Sequence, residues 1–193
     1  MTRASAIEFS VTAGACIHGC LLLFLLPLDL VFALCAAIVI HECSHILALM
    51  CFRIPILQIE VGIGGAAIQT VPLAHEQEML CAAAGPAGSF LCLILARQFP
   101  LLALCGCVQG LYNLLPVYPL DGGRILRCLC ACWLPAYETQ LCNAVRIFVI
   151  VAVFSVCLFL CFRIRDSLWL LPAVYFLLQT HLARKFPCKQ PKF

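Results

Sequence analysis

Residues 28–51 read LDLVFALCAAIVIHECSHILALMC, an apolar run interrupted by His41-Glu42-Cys43-Ser44-His45. About 20 apolar residues suffice for a helix to cross roughly 30 Å of hydrocarbon, so the run predicts a membrane span carrying an H-E-x-x-H motif. At 3.6 residues per turn, positions i and i+4 leave one face a turn apart, which lets both imidazoles reach one Zn2+ at about 2.0–2.1 Å. Glu42 projects about 100° from His41, within reach of a water beside such a metal and without being a ligand itself. With five histidines in the chain, random placement predicts roughly 0.004 occurrences of the motif. The bland alternative is hydrogen bonding between helices. An ionisable group at that depth costs about 2.5–3.5 kcal/mol on insertion scales, however, and a metal would offset that cost.

The remainder of the chain agrees with a membrane setting. Of 193 residues, 64% are hydrophobic and 11% charged, and the mean hydropathy is +1.07. A soluble domain is about 25% charged, so a soluble globular protein is excluded, as is a disordered one. The net charge of +3 is too small and too scattered for a nucleic-acid surface, and no nucleic-acid partner is expected. The fold class expected is an all-α polytopic membrane protein with about six transmembrane helices, at residues 10–26, 28–51, 79–97, 100–133, 142–161 and 168–183. They form a single domain over residues 1–186, followed by a short basic tail at 187–193. The fourth stretch is too long for one crossing and contains Asn113, Pro116, Pro119 and Asp121-Gly122-Gly123, so it is expected to be a broken helix lining a buried or wet cavity. Only Arg3 precedes the first apolar stretch and no small-residue cleavage site follows it, so this segment is expected to be retained.

Basic residues set the expected orientation. Arg3, Arg53, Arg124, Arg127, Arg184, Lys185, Lys189 and Lys192 fall on one side, against Arg97, Arg163 and Arg165 on the other, which places both termini in the cytoplasm. Between the second and third spans, residues 53–71 alternate polar Gln58, Glu60 and Gly62 with Ile59, Val61 and Ile63, then reach Gly64-Gly65. This pattern predicts a short β-hairpin at the membrane surface, either a structured loop or an edge that captures an extended peptide.

A hydrolytic zinc usually has three protein ligands, so a third must come from elsewhere. The carboxylates Glu8, Asp29, Glu60, Glu76, Glu78, Glu138 and Asp166 read as span ends or loops, which leaves Asp121 in the broken span. The alternative for Asp121 is an N-cap on a helix starting at Gly122. The sixteen cysteines sit mostly in apolar runs, where a reduced thiol acts as a small hydrophobe. Cys128-Leu129-Cys130-Ala131-Cys132 lacks the spacing of a zinc knuckle. His18, His75 and His181 suit interhelical or interfacial roles, and Trp133, Trp169 and Tyr175 suit the aromatic belt.

His41-Glu42-Cys43-Ser44-His45 together with Asn113-Leu114-Leu115-Pro116-Val117-Tyr118-Pro119-Leu120-Asp121-Gly122 resembles the paired motifs H-E-x-x-H and N-x-x-P-x-x-x-x-D-G of the site-2 protease family of intramembrane zinc metalloproteases. The resemblance implies one Zn2+ held by His41, His45 and Asp121, with Glu42 as general base. It also implies a substrate-binding element at Asn113, Pro116 and Gly122. The expected substrate is a membrane protein or membrane-associated peptide, cut in or near the bilayer. Among the branches, the chain looks most like the bacterial sporulation type, which processes a membrane-associated sigma-factor precursor in the cell membrane. Only ten residues follow Ala183, so a C-terminal CBS domain is not expected, and regulation would come from inhibitory or activating membrane partners or from the membrane core. Ala84-Gly85-Pro86-Ala87-Gly88-Ser89 resembles the family's G-P-x-x-N element with Ser89 in place of Asn, which puts the polar contact of that element in question. A non-catalytic metal-binding or transporting bundle is the competing reading, as is a membrane zinc hydrolase acting on a lipid or small amide.

Overall fold

A computed structural model describes residues 7–62, 65–164, 174–177 and 180. Contacts divide the chain into two compact units, residues 1–113 and 114–193.

The first unit opens with strand β1 (Glu8–Val11), then helices α1 (Ala13–Leu25) and α2 (Leu28–Cys51). Strands β2 (Ile56–Gly62) and β3 (Gly65–Thr70) follow, and then α3 (His75–Leu91) and α4 (Pro100–Asn113). Leu28–Cys51 and His75–Leu95 are each long and apolar enough to cross a bilayer, while Ala13–Leu25 is apolar but shorter. Thr12 stops the strand and starts the helix. Its side chain accepts from the Ala15 N–H and so N-caps α1, while its own N–H and hydroxyl both donate to the Val61 carbonyl.

Two expectations are corrected in this unit. The hairpin is the larger part of a three-stranded sheet of order β1-β2-β3, in which β1 runs parallel to β2 and β3 antiparallel to it. The first helix also begins at Ala13, and Ser10 and Val11 lie in the strand, opposite Glu60 and Val61. The physical reason is the alternation of Ile7, Phe9 and Val11 with Glu8, Ser10 and Thr12, a period-two pattern that suits an extended chain. A two-stranded hairpin is marginal alone, and β1 converts its outer edge into a central strand.

α2, α3 and α4 form the core of the unit. They approach closely because the contact positions carry almost no side chain. A Cβ on Gly85 would overlap the His45 ring, and one on Gly88 would overlap the Ser44 hydroxyl. Between membrane helices, where burying apolar surface offers little driving force, such small residues gain contact by letting the backbones approach.

The second unit contains the non-helical segment 114–120, α5 (Asp121–Trp133), a 3-10 turn (Pro135–Tyr137) and α6 (Glu138–Ile164). The expected break in the fourth apolar stretch is present: helix stops at Asn113 and resumes at Asp121. The two glycines do not form the turn of this break. They lie inside the first turn of α5, where a Cβ on Gly122 would overlap the Leu114 carbonyl and one on Gly123 the backbone of Val117 and Tyr118. They therefore admit the returning 114–118 segment against the helix. Pro135–Ile164 is long and apolar enough to span, and Phe148, Phe159 and Phe162 on α6 are exposed, as lipid-facing side chains are. Of the expected sixth span, only residues 174–177 and 180 are described, and the basic tail lies outside the described residues.

Candidate metal centre

His41 and His45 lie on the buried face of α2, a turn apart, with 3% and 8% of their surface exposed. Each ring is held through Nδ1 by α3. His45 Nδ1 donates to the Cys81 carbonyl at 2.7 Å, which fixes its tautomer because a carbonyl can only accept. The Nε2 atom of His45 is therefore left with a lone pair. His41 Nδ1 lies 2.9 Å from the Ser89 hydroxyl, and Ser89 is fully buried. The two Nε2 atoms converge to 3.2 Å, with the rings edge-on at 83°. For ligands at about 2.0–2.1 Å, the edge of a tetrahedron is about 3.3 Å. Two neutral imidazoles with converging Nε2 atoms thus fit a tetrahedral zinc, and their Nδ1 partners are the outer hydrogen bonds that orient such ligands. When both Nε2 lone pairs face a cation, the His41 proton resides on Nδ1 and Ser89 is the acceptor.

Ser89, which stands where the resembling element has Asn, thus makes a buried polar contact with the His41 ring. Ser89→Ala would leave a buried Nδ1–H without that acceptor, and we expect zinc affinity to fall about 10–100-fold, measured by chelator competition on the purified protein. Thermal stability of the metal-free protein serves as the control, and unchanged affinity would refute the assignment.

Glu42, one residue on from His41, is half-buried and turns toward the sheet. Its Oε1 accepts from the Ala66 N–H of β3 at 3.3 Å. The neighbouring Gly65 adopts φ +116°, and a Cβ there would sit 3.3 Å from the same oxygen. Glycine is thus favoured at 65 by the left-handed backbone, while a Cβ there would press on the carboxylate enough to shift it by a few tenths of an ångström. The alternation that predicts a hairpin also brings a backbone donor to Glu42, a contact that α2 by itself does not reveal.

The other candidate residues lie as follows. Asp121 is buried and is the first residue of α5, while Leu120 occupies the cap position, so the N-cap alternative does not describe it. A carboxylate at this first turn is favoured by the helix dipole. Asn113 ends α4, and its side-chain amide donates back to the Gln109 carbonyl at 3.1 Å. Pro116 sits half-buried in the break, and Gly122 faces the Leu114 carbonyl. Elimination among the carboxylates is less complete than the sequence implies, because Glu78 is also buried, in the first turn of α3, with 6% exposed. The signal that could have found it is helical spacing: Glu78 shares a face with Cys81, Ala82 and Gly85, all buried.

The family model described as Peptidase family M50 matches residues 83–155. A zinc metalloprotease of Methanocaldococcus jannaschii is 33% identical over 108 residues, 48% of this chain and 32% of that protein. The chain thus matches about a third of the length of that relative. Among solved structures, the site-2 protease from the same organism superposes with a TM-score of 0.67 at 18% identity, covering 98% of this chain and 97% of that one. At that identity the likeness concerns the fold.

Proposed function

We propose that this chain is a member of peptidase family M50, the site-2 protease family, and an intramembrane zinc metallopeptidase that hydrolyses a peptide bond in or near the membrane segment of a substrate protein, a reading supported by the match of the M50 family model to residues 83–155. The observation that carries the reading is the pair of buried Nε2 atoms 3.2 Å apart, each ring tied through Nδ1 to α3. His41, His45 and Asp121 would hold one zinc, Asp121 being assigned by its motif and by the need of a buried carboxylate for a cation. Zinc in such a site supplies a Lewis acid that acidifies water toward a pKa of about 7 and polarises a carbonyl.

The chain's own residues do the rest. Glu42 accepts the proton of the attacking water and returns it to the leaving amine, and the Ala66 N–H keeps its carboxylate turned to one side while it does so. Asn113 and Pro116 hold the substrate backbone, and Gly122 lets that element stay compact. An extended substrate would add to the outer edge of β3, the strand that touches Glu42 and lies at the end of the sheet among the described residues, because a peptide unwound from a helix needs partners for its backbone groups. With both termini cytoplasmic, α2 runs inward and its histidines lie roughly 10–15 Å from its cytoplasmic end, within reach of water. The natural substrate is a membrane-bound regulator such as a sigma-factor precursor in a bacterial cell membrane, and membrane partners inhibit or activate the enzyme.

The test is metal removal. In a bilayer mimic the purified protein should contain one zinc and cleave a membrane-segment peptide rich in helix-breaking residues. Stripping the zinc with a chelator should abolish cleavage, and adding zinc back should restore it. Cleavage that persists in metal-free protein would refute the proposal.

A further inference from the structure

One rung of the sheet ties together two points that lie equally far from the link between α1 and α2. Thr12, directly before α1, donates to the Val61 carbonyl, Val61 pairs with Ala66, and the Ala66 N–H donates to Glu42 of α2. α1 runs 13 residues from that rung to its end at Leu25, and Glu42 stands 14 residues after Leu28, the start of α2. The two helices therefore run antiparallel, each covering about 20 Å between link and rung. α2 continues for nine residues more, about 14 Å, to Cys51, and its 24 residues slightly exceed the roughly 30 Å of hydrocarbon. α1 by itself falls short of that thickness. The rung thus lies inside the hydrocarbon, about 10 Å from the boundary at which α2 ends.

β1 joins α1 through Thr12 alone and runs parallel to β2, and its four residues at about 3.3 Å each supply the length that α1 lacks. The register sorts the sheet into two faces. Phe9 lies beside Ile59 and Ile68, and Val11 beside Val61 and Ala66, whereas Glu8 lies beside Gln58 and Gln69, and Ser10 beside Glu60. Phe9 is 65% exposed and Val11 51%, and no residue of α1 is buried, so the apolar face adjoins a helix whose surface is open to lipid.

We propose that the first membrane crossing is part strand and part helix, and that the apolar face of β1, at Phe9 and Val11, is a lipid-contact surface packed against acyl chains rather than resting on the headgroups. The ladder with β2 satisfies the inner edge of β1, as hydrocarbon requires of any backbone within it. The opposite face, with Glu8, Ser10, Gln58 and Glu60, needs water, so the same sheet divides the acyl chains from a wet side. The inference concerns the bilayer alone and depends neither on zinc nor on cleavage.

The test places the whole chain in phosphatidylcholine vesicles containing a photoreactive phosphatidylcholine, with its diazirine midway along an acyl chain in one sample and on the headgroup in another. After irradiation the protein is delipidated and digested with pepsin, and adducts are located by mass spectrometry. Ile17, 70% exposed on α1, marks a position among the acyl chains. Val11 should take the acyl-chain probe as Ile17 does, and the headgroup probe about tenfold less, because it lies about 10 Å below the boundary. Phe9, two residues nearer that boundary, should be labelled by both probes. Val11 labelled only from the headgroup, or by neither probe, would place the sheet outside the acyl chains and overturn the proposal, and the wild-type protein suffices for the measurement.

Discussion

Glu42→Gln is expected to bind one zinc with wild-type affinity and to cleave about 10²–10⁴-fold more slowly, the range that a positioned general base contributes. Glutamine keeps the size of the side chain and an oxygen able to accept from the Ala66 N–H, so the β3 contact at 3.3 Å survives. It cannot take a proton from water at neutral pH. The histidines keep their Nδ1 partners, Cys81 and Ser89, because neither bond involves Glu42. Zinc content by elemental analysis, with kcat on a membrane peptide, separates the two properties. A variant that holds zinc and cleaves at the wild-type rate would remove Glu42 from the mechanism.

Asp121→Ala should act on the metal itself. As the proposed third ligand, Asp121 contributes a direct bond, and its loss should weaken zinc by more than the roughly 10–100-fold cost of a missing outer hydrogen bond. Cleavage should disappear at limiting zinc. The effect on folding should be small by comparison, because a carboxylate in the first turn of a helix typically stabilises it by about 0.3–1 kcal/mol. Chelator competition and thermal melting of metal-free protein measure the two quantities independently. Wild-type zinc affinity in Asp121→Ala would place the third ligand elsewhere, and the buried Glu78 would be the next carboxylate to test.

Features that depend on neighbours in the chain were legible without coordinates. The period of a helix places His41 and His45 on one face, so a five-residue motif predicts their convergence, and the Nε2 atoms do converge. Pro116 and Pro119, three residues apart, each remove a helical N–H and crowd the preceding turn, and the fourth apolar stretch is accordingly interrupted over 114–120. The alternation in residues 56–62 marks β2 for the same local reason.

Contacts between distant segments were not legible. The pairing of β1 with β2 was hidden because the short strand signal lies directly beside a helix start, where an apolar run invites a longer helix. Ser89 looks like a departure from a motif until α3 brings its hydroxyl to His41, and the Cys81 carbonyl that sets the His45 tautomer is a backbone group that no residue type announces. Gly122 and Gly123 look like turn formers, but their space is taken by a returning segment.

By itself, the order of residues determined the membrane setting, the imidazole pair, the neighbouring carboxylate and the helix break, since hydropathy and helical phase act over a few turns of chain. Tertiary structure alone decided which atoms hold the imidazoles in place and which strand meets Glu42. Those outcomes depend on how closely backbones approach, and that distance is set by the absence of side chains on glycines far away in the chain.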